Sequence, residues 1–216
     1  DQGKMRPALH ELGFSEEIIR KIQSVLRKPN GMFLVTGPTS SGKTTTLYAC
    51  LMEIDRKSLK VVTAEDPVEY EEKGAVQIPV REGIGLGFDR ILRSILRHDP
   101  DVILVGEIRD EVTAKIALQA SLTGHLVLGT LHTNDAPGAV VRLMEMGLEP
   151  FLIAASLKGV LAQRLVRKLC PECRTGIEGT SPALGPFPEL RSPGERIFEA
   201  KGCPHCQGFG YKGRAA

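Results

Sequence analysis

The stretch Gly31-Met-Phe-Leu-Val-Thr-Gly37-Pro-Thr-Ser-Ser-Gly42-Lys43-Thr44 decides how this chain is read. A short apolar run, Met32 to Thr36, enters the loop GPTSSGKT, and a helical pattern follows. That order makes the loop a phosphate-binding P-loop. Gly37 and Gly42 bracket Pro38, Thr39, Ser40 and Ser41, and the glycines let main-chain N–H groups turn inward around a polyphosphate. Lys43 is placed to reach the β- and γ-phosphates, and the Thr44 hydroxyl to ligate Mg²⁺. Thr45, next along the helix, belongs to the same expected site. The helix starting near Lys43 adds its positive dipole end. Nucleotide binding is the first expectation.

Composition bounds the rest. A chain of 216 residues suits one α/β domain plus an appendage, and 42% hydrophobic content is enough for a core. A net charge of +2 implies no polyanion partner. The absence of Trp and 5% aromatics argue against base-stacking platforms, so no nucleic acid is expected. No apolar run is long enough to cross a bilayer, and the start does not read as a signal peptide. Five cysteines, two tight pairs and a singleton, read as intracellular rather than as a disulfide framework. The abrupt ends, Asp1-Gln-Gly and Arg214-Ala-Ala, suggest a fragment of a larger protein.

Strand and helix patterns alternate along the chain. Ser15 caps a helix with Ile18, Ile19, Ile22, Val25 and Leu26 at helical spacing. Further helices are expected over Lys43 to Ile54, Phe88 to Arg97, Glu111 to Leu122, Asp135 to Met146 and Pro150 to Ser156. Strands are expected over Met32 to Thr36, Lys60 to Glu65, Asp101 to Gly106 (expected central, being the most hydrophobic), His125 to Leu131 and Gly159 to Leu169. Val68 to Val80 reads as a hairpin or edge strands. The whole suggests a doubly wound, mostly parallel sheet over residues 1–169. Beyond Leu169 Gly and Pro rise and periodicity stops, which sets off 170–216 as a small subdomain.

The acidic partner of a P-loop belongs at the end of a neighbouring buried strand, where it holds Mg²⁺ through water or polarises the attacking water. Two strands end so, in Glu65-Asp66 and in Gly106-Glu107. The alternative is a strand that simply meets solvent at an acid. Arg81, Arg90, Arg93 and Arg97 cluster around one helix and are either γ-phosphate neutralisers, in cis or across a subunit contact, or a solvated basic face. His125 and His132 bracket a strand and are either γ-phosphate sensors or structural. Cys170-Pro-Glu-Cys173 and Cys203-Pro-His-Cys206 can close four thiolates around one Zn²⁺, whose binding would fold a segment without its own core. Redox pairs or incidental cysteines are the rival readings, with His205 a weaker alternative ligand. Cys50 reads as a buried thiol.

GPTSSGKTTTLY (37–48), AEDPVEY (64–70), LRHDPDVILVGEIRD (96–110), TGHLVLGTLHTNDA (123–136) and GVLAQRLVRKLCPEC (159–173) together resemble the secretion ATPase superfamily of type II secretion and type IV pilus assembly. The resemblance implies a RecA-like fold with, in order, a P-loop, an Asp box, an atypical Walker B and a His box. It implies catalytic roles for Lys43, Glu65, Glu107 and His132, ATP contacts from His125, Arg93 and Arg97, and Mg²⁺-ATP hydrolysis. It further implies a homohexameric cytoplasmic motor, peripheral at the inner membrane through platform and recruitment proteins. The paired CxxC favours the export and assembly branch over pilus retraction, with a DNA-uptake or retraction ATPase of the same superfamily as the alternative. A helicase-like motor and a non-catalytic zinc adaptor are the readings from other classes. Members carry a preceding arginine-donating domain and a helical C-terminal region that this chain does not show, so slow hydrolysis by the fragment alone is expected.

Overall fold

A computed structural model describes residues 7–177 and 197–216. The chain divides into two compact units, Asp1–Arg164 and Leu165–Ala216.

The first unit is built on six strands: β1 (Gly31–Thr36), β2 (Val61–Glu65), β3 (Ala75–Pro79), β4 (Val102–Val105), β5 (Leu126–Leu131) and β6 (Leu157–Ala162). They lie in the order β3-β2-β4-β5-β1-β6, and every neighbouring pair is parallel. Helices α1 (Glu16–Leu26), α2 (Lys43–Met52), α3 (Phe88–Ile95), α4 (Glu111–Leu122), α5 (Ala136–Glu145) and α6 (Pro150–Ser156) complete it. Successive strand residues point to opposite faces, so each strand feeds two cores. Phe33, Val35, Leu104 and Leu128 pack with Ile22 of α1 and Leu47 and Leu51 of α2. Leu34, Val62, Ile103 and Val127 pack with Ile91 of α3, Ala117 of α4 and Leu143 of α5. Burial on both faces explains why these strands are unbroken apolar runs. The caps expected from sequence are made: Ser15 Oγ accepts from Ile18 N at 3.4 Å, and Asp135 Oδ1 from Gly138 N at 2.7 Å.

One expectation is narrowed and another corrected. Of the hairpin or edge strands expected over Val68 to Val80, the segment forms the edge-strand alternative, the single strand β3, parallel to β2. The run expected as one strand over Gly159 to Leu169 is two, β6 and then β7 (Val166–Leu169), in different sheets. Gln163 explains where β6 stops. Its N–H donates to Thr36 O at 2.8 Å, but its side chain turns into the protein, where Thr46 Oγ1 donates to Oε1 at 2.7 Å and Nε2 donates to Ser41 O at 2.9 Å. The chain past it no longer follows β1.

The second unit holds two small antiparallel pairs, β7 with β10 (Tyr211–Ala215) and β8 (Thr175–Ile177) with β9 (Ile197–Glu199). Arg167 lies over the Tyr211 ring at 4.0 Å and Arg174 over Phe198 at 4.7 Å, contacts that add modestly to so small a fold.

Gln163→Ala leaves the Thr46 hydroxyl and Ser41 carbonyl, both buried, without these partners. It is expected to cost about 1–3 kcal/mol, seen as a lower urea midpoint for the intact protein; an unchanged midpoint would contradict the bracing role.

Candidate active site and metal centre

In a parallel sheet all carboxyl ends gather on one side, and ligand crevices form there. The ends of β1, β2, β4 and β5 border a cleft of about 200 Å³ whose lining includes Thr39, Ser40, Lys43, Thr44, Glu65, Glu107 and His132.

The loop between β1 and α2 is held by its own backbone. Gly37 has φ 150°, and a Cβ there would lie 2.3 Å from Gln163 O, so no larger residue fits. Gly42 takes φ 86° immediately before α2, a turn that favours glycine. Pro38, Thr39, Ser40 and Thr44 are exposed, Gly37 and Ser41 buried, and Thr45 half-buried. Gly37, Pro38 and Thr39 also line a second concavity with His132, Thr133 and Asn134. The first amides of α2 have no intrahelical partner. Lys43 is only 8% exposed. Its Nζ donates to Gly37 O at 2.9 Å and to Pro38 O at 3.0 Å. Burial lowers its pKa, partly offset by the Glu107 charge.

Glu107 follows β4 with its side chain 18% exposed. Its Oε2 pairs with Arg109 Nη2 at 2.6 Å, and its Oε1 lies 3.1 Å from His132 Nε2. Burial would raise its pKa, but Arg109, His132 and Lys43 together outweigh that and hold it below the usual carboxylate range. Glu65, 3% exposed, ends β2. Its carboxylate accepts from Tyr48 Oη, from Thr63 Oγ1 at 2.5 Å and from Gln77 Nε2 at 3.1 Å.

The sheet does not bring every candidate here. His125 precedes β5, a strand of six residues, and lies at the opposite end of the sheet, about 20 Å of strand from His132. Its Nδ1 is 3.0 Å from Ala120 O. Arg93 and Arg97 are exposed on and just after α3 and are absent from the cleft lining. Arg81 and Arg90 are exposed as well, with Arg90 Nη1 donating to Gly85 O at 3.3 Å. Sequence reasoning missed Arg109, Tyr48 and Gln77, the groups that hold the two acids.

In the second unit, the Sγ atoms of Cys170, Cys173, Cys203 and Cys206 all lie within 4.8 Å of one another. The Cys170–Cys203 pair is 4.0 Å apart, and Cys173–Cys206 and Cys203–Cys206 are each 3.8 Å apart. Four sulfurs at about 2.3 Å from a tetrahedral ion stand about 3.8 Å apart, so the cage fits one zinc-sized cation. Cys203 N and Gly210 N donate to Cys206 Sγ at 3.2 and 3.1 Å, bonds that favour a thiolate. His205 is outside the cluster, its Nε2 2.6 Å from Lys212 Nζ. Cys50 is fully buried, and burial pushes its thiol up to about 12.

Residues 1–216 match the family described as "Type II/IV secretion system protein". The chain belongs to that family. Type II secretion system ATPase E of Vibrio cholerae is 50% identical over 99% of the chain and 42% of its own length. Type IV pilus assembly ATPase PilB of Thermus thermophilus is 50% identical over 97% of the chain and 24% of its own length. The chain thus spans less than half the length of these relatives. Among solved structures, the pilus retraction motor PilT with bound ADP superposes with TM-score 0.69 at 35% identity, covering 79% of the chain and 52% of PilT. The ATPase DotB of Legionella pneumophila gives 0.65 at 31%, covering 76% and 47%.

A carboxyl group with a depressed folded-state pKa adds stability above its unfolded value and loses it as pH falls through the folded one. Arg109→Ala is therefore expected to lower unfolding free energy at neutral pH, with the gap to wild type shrinking as pH falls below about 4.5. Urea titrations across pH check this, and a gap that widens toward acid would contradict it. Metal analysis of purified protein is expected to give about one zinc per chain, lost with Cys173→Ser; metal well below that in wild type would contradict the four-sulfur cage.

Proposed function

We propose that this chain is the ATP-hydrolysing core of a motor that drives type II secretion or type IV pilus assembly. The convergence of Lys43, Glu65 and Glu107 on one cleft at the carboxyl ends of the strands carries the reading. The family and its secretion and pilus ATPases support it, as does the ADP bound to PilT. Relatives near 50% identity named for export and pilus assembly favour those branches over retraction.

ATP phosphates would enter the loop at Gly37–Gly42, including Ser40 and Ser41, and meet the free amides that open α2. Lys43 would exchange the Gly37 and Pro38 carbonyls for phosphate oxygens, a trade that keeps its ammonium fully hydrogen-bonded as it follows charge into the transition state. Thr44 and Glu107 both line the cleft and Glu107 stands ionised, so these two would hold Mg²⁺. Held by these residues, Mg²⁺ would supply positive charge to offset what develops on the phosphates. His132, beside Glu107, would donate toward the γ-phosphate. Glu65 would orient the attacking water and take its proton.

Arg93, Arg97 and His125 lie away from this cleft, so their proposed contacts are to ATP held by a neighbouring subunit of a homohexamer. Such a ring would act in the cytoplasm, at the inner membrane, through platform and recruitment proteins. The four cysteines would hold structural Zn²⁺. The first unit would be the ATPase domain and the second the metal subdomain, a division slightly before the 1–169 and 170–216 expected from sequence.

In the intact protein, Lys43→Ala is expected to lower ATP hydrolysis by at least about a hundredfold. Glu65→Gln is expected to lower hydrolysis while leaving Mg-ATP affinity within about twofold, whereas Glu107→Gln lowers both. Steady-state kinetics and nucleotide titrations read these out. Undiminished hydrolysis by Lys43→Ala would overturn the proposal.

A further inference from the structure

Glu65 is gripped from three directions, and only one grip comes from its own strand. Thr63, two residues back on β2, reaches Oε1 as the strand's alternation requires. Tyr48 and Gln77 come from other elements, α2 and β3. Tyr48 Oη donates to Oε2, and Gln77 Nε2 donates to Oε1. Gln77 Nε2 also lies 3.1 Å from Tyr48 Oη, so the two donors form one network. The Tyr48 ring is 2% exposed and meets Tyr70 edge-on at a centroid distance of 5.3 Å. Burial, reinforced by the Glu65 charge, pushes the phenol well up, so its hydroxyl remains a donor at neutral pH.

The position of Tyr48 on α2 matters as much as its hydroxyl. It follows Thr44 by one helical turn, so both side chains lie on the same face of the helix. The helix whose first turn closes the P-loop therefore also holds the acid across the cleft. On the other side, Gln77 Oε1 accepts from Glu72 N at 2.7 Å and Gln77 Nε2 donates to Tyr70 O at 2.9 Å. These bonds fix the amide's orientation and so leave its other N–H aimed at Glu65.

We propose that Tyr48 and Gln77 are positioning residues for Glu65, aiming its carboxylate at the attacking water through their hydrogen bonds to it. The inference rests on Glu65 orienting that water. A carboxylate freed of two of its three donors can rotate away from the water or turn toward Lys43 as a competing anion. Turnover then falls while nucleotide affinity stays, because the loop, Lys43 and Thr44 are unchanged.

Tyr48→Phe in the intact protein removes the donor and keeps the ring. It is expected to lower kcat about ten- to a hundredfold, as loss of a hydrogen bond to a charged group does, with the ATP dissociation constant close to wild type and a lower thermal midpoint, because a buried carboxylate loses a donor. Gln77→Met is expected to act in the same direction. In a Glu65→Gln background, Tyr48→Phe is expected to cost less than about twofold more, since its effect runs through Glu65. A slow Glu65→Gln beside an unimpaired Tyr48→Phe would overturn this inference alone. So would ATP affinity falling in step with kcat, or equal losses in both backgrounds. Glu65→Gln at the wild-type rate would overturn the reading of Glu65 itself, and the positioning inference with it.

Discussion

A buried ammonium group needs hydrogen-bond acceptors, and the site is organised around how Lys43 finds them. Left alone at 8% exposure, the charge would be costly. The loop supplies two of its own carbonyls, Gly37 O and Pro38 O. They can do so only because the chain turns back over the lysine, and that turn requires the left-handed backbone of Gly42 and the close approach of Gly37 to Gln163. The lysine is thus already held in place, and a phosphate bound as proposed would have only to replace two carbonyls. The parallel sheet gives this loop its neighbours, since Glu65, Glu107 and His132 all leave their strands on the same side.

Much of this was legible in the sequence because the signals are local. The strand–loop–helix at Gly31–Met52, the caps at Ser15 and Asp135 and the apolar runs of β1, β4 and β5 each depend on neighbours in the chain. The parts that were not legible depend on pairing at a distance. Val76 alternates with half-buried neighbours in β3, a pattern equally suited to a hairpin, and only the register with β2 shows that it is parallel. Gln163 sits inside an alternating run, and its inward turn toward Thr46 and Ser41 joins residues more than a hundred positions apart. Tyr48, Glu65 and Gln77 also meet only through the fold, coming from a helix and two strands. Arg109 carried one weak signal, a cation two residues beyond an acid. His125 could have been placed from topology, because a residue that precedes a parallel strand lies at the end away from the loop.

The two units are stabilised differently. The first buries long apolar strands under helices on both faces. Among its described residues the second has short strand pairs, few buried apolar side chains and four sulfurs at tetrahedral spacing. A metal bound there would contribute folding free energy that the small apolar core does not. One fold thus combines a hydrophobic scaffold that presents a loop with a sulfur cage that substitutes for a core.

The grip of Lys43 is the claim on which the rest depends, and a structure of the intact protein with Mg²⁺ and a non-hydrolysable ATP analogue tests it most directly. The account predicts Lys43 Nζ about 3 Å from a phosphate oxygen, released from at least one of the Gly37 and Pro38 carbonyls, with Glu65 and Glu107 facing the terminal phosphate. A nucleotide seated elsewhere, with Lys43 still bound to both carbonyls, would contradict it.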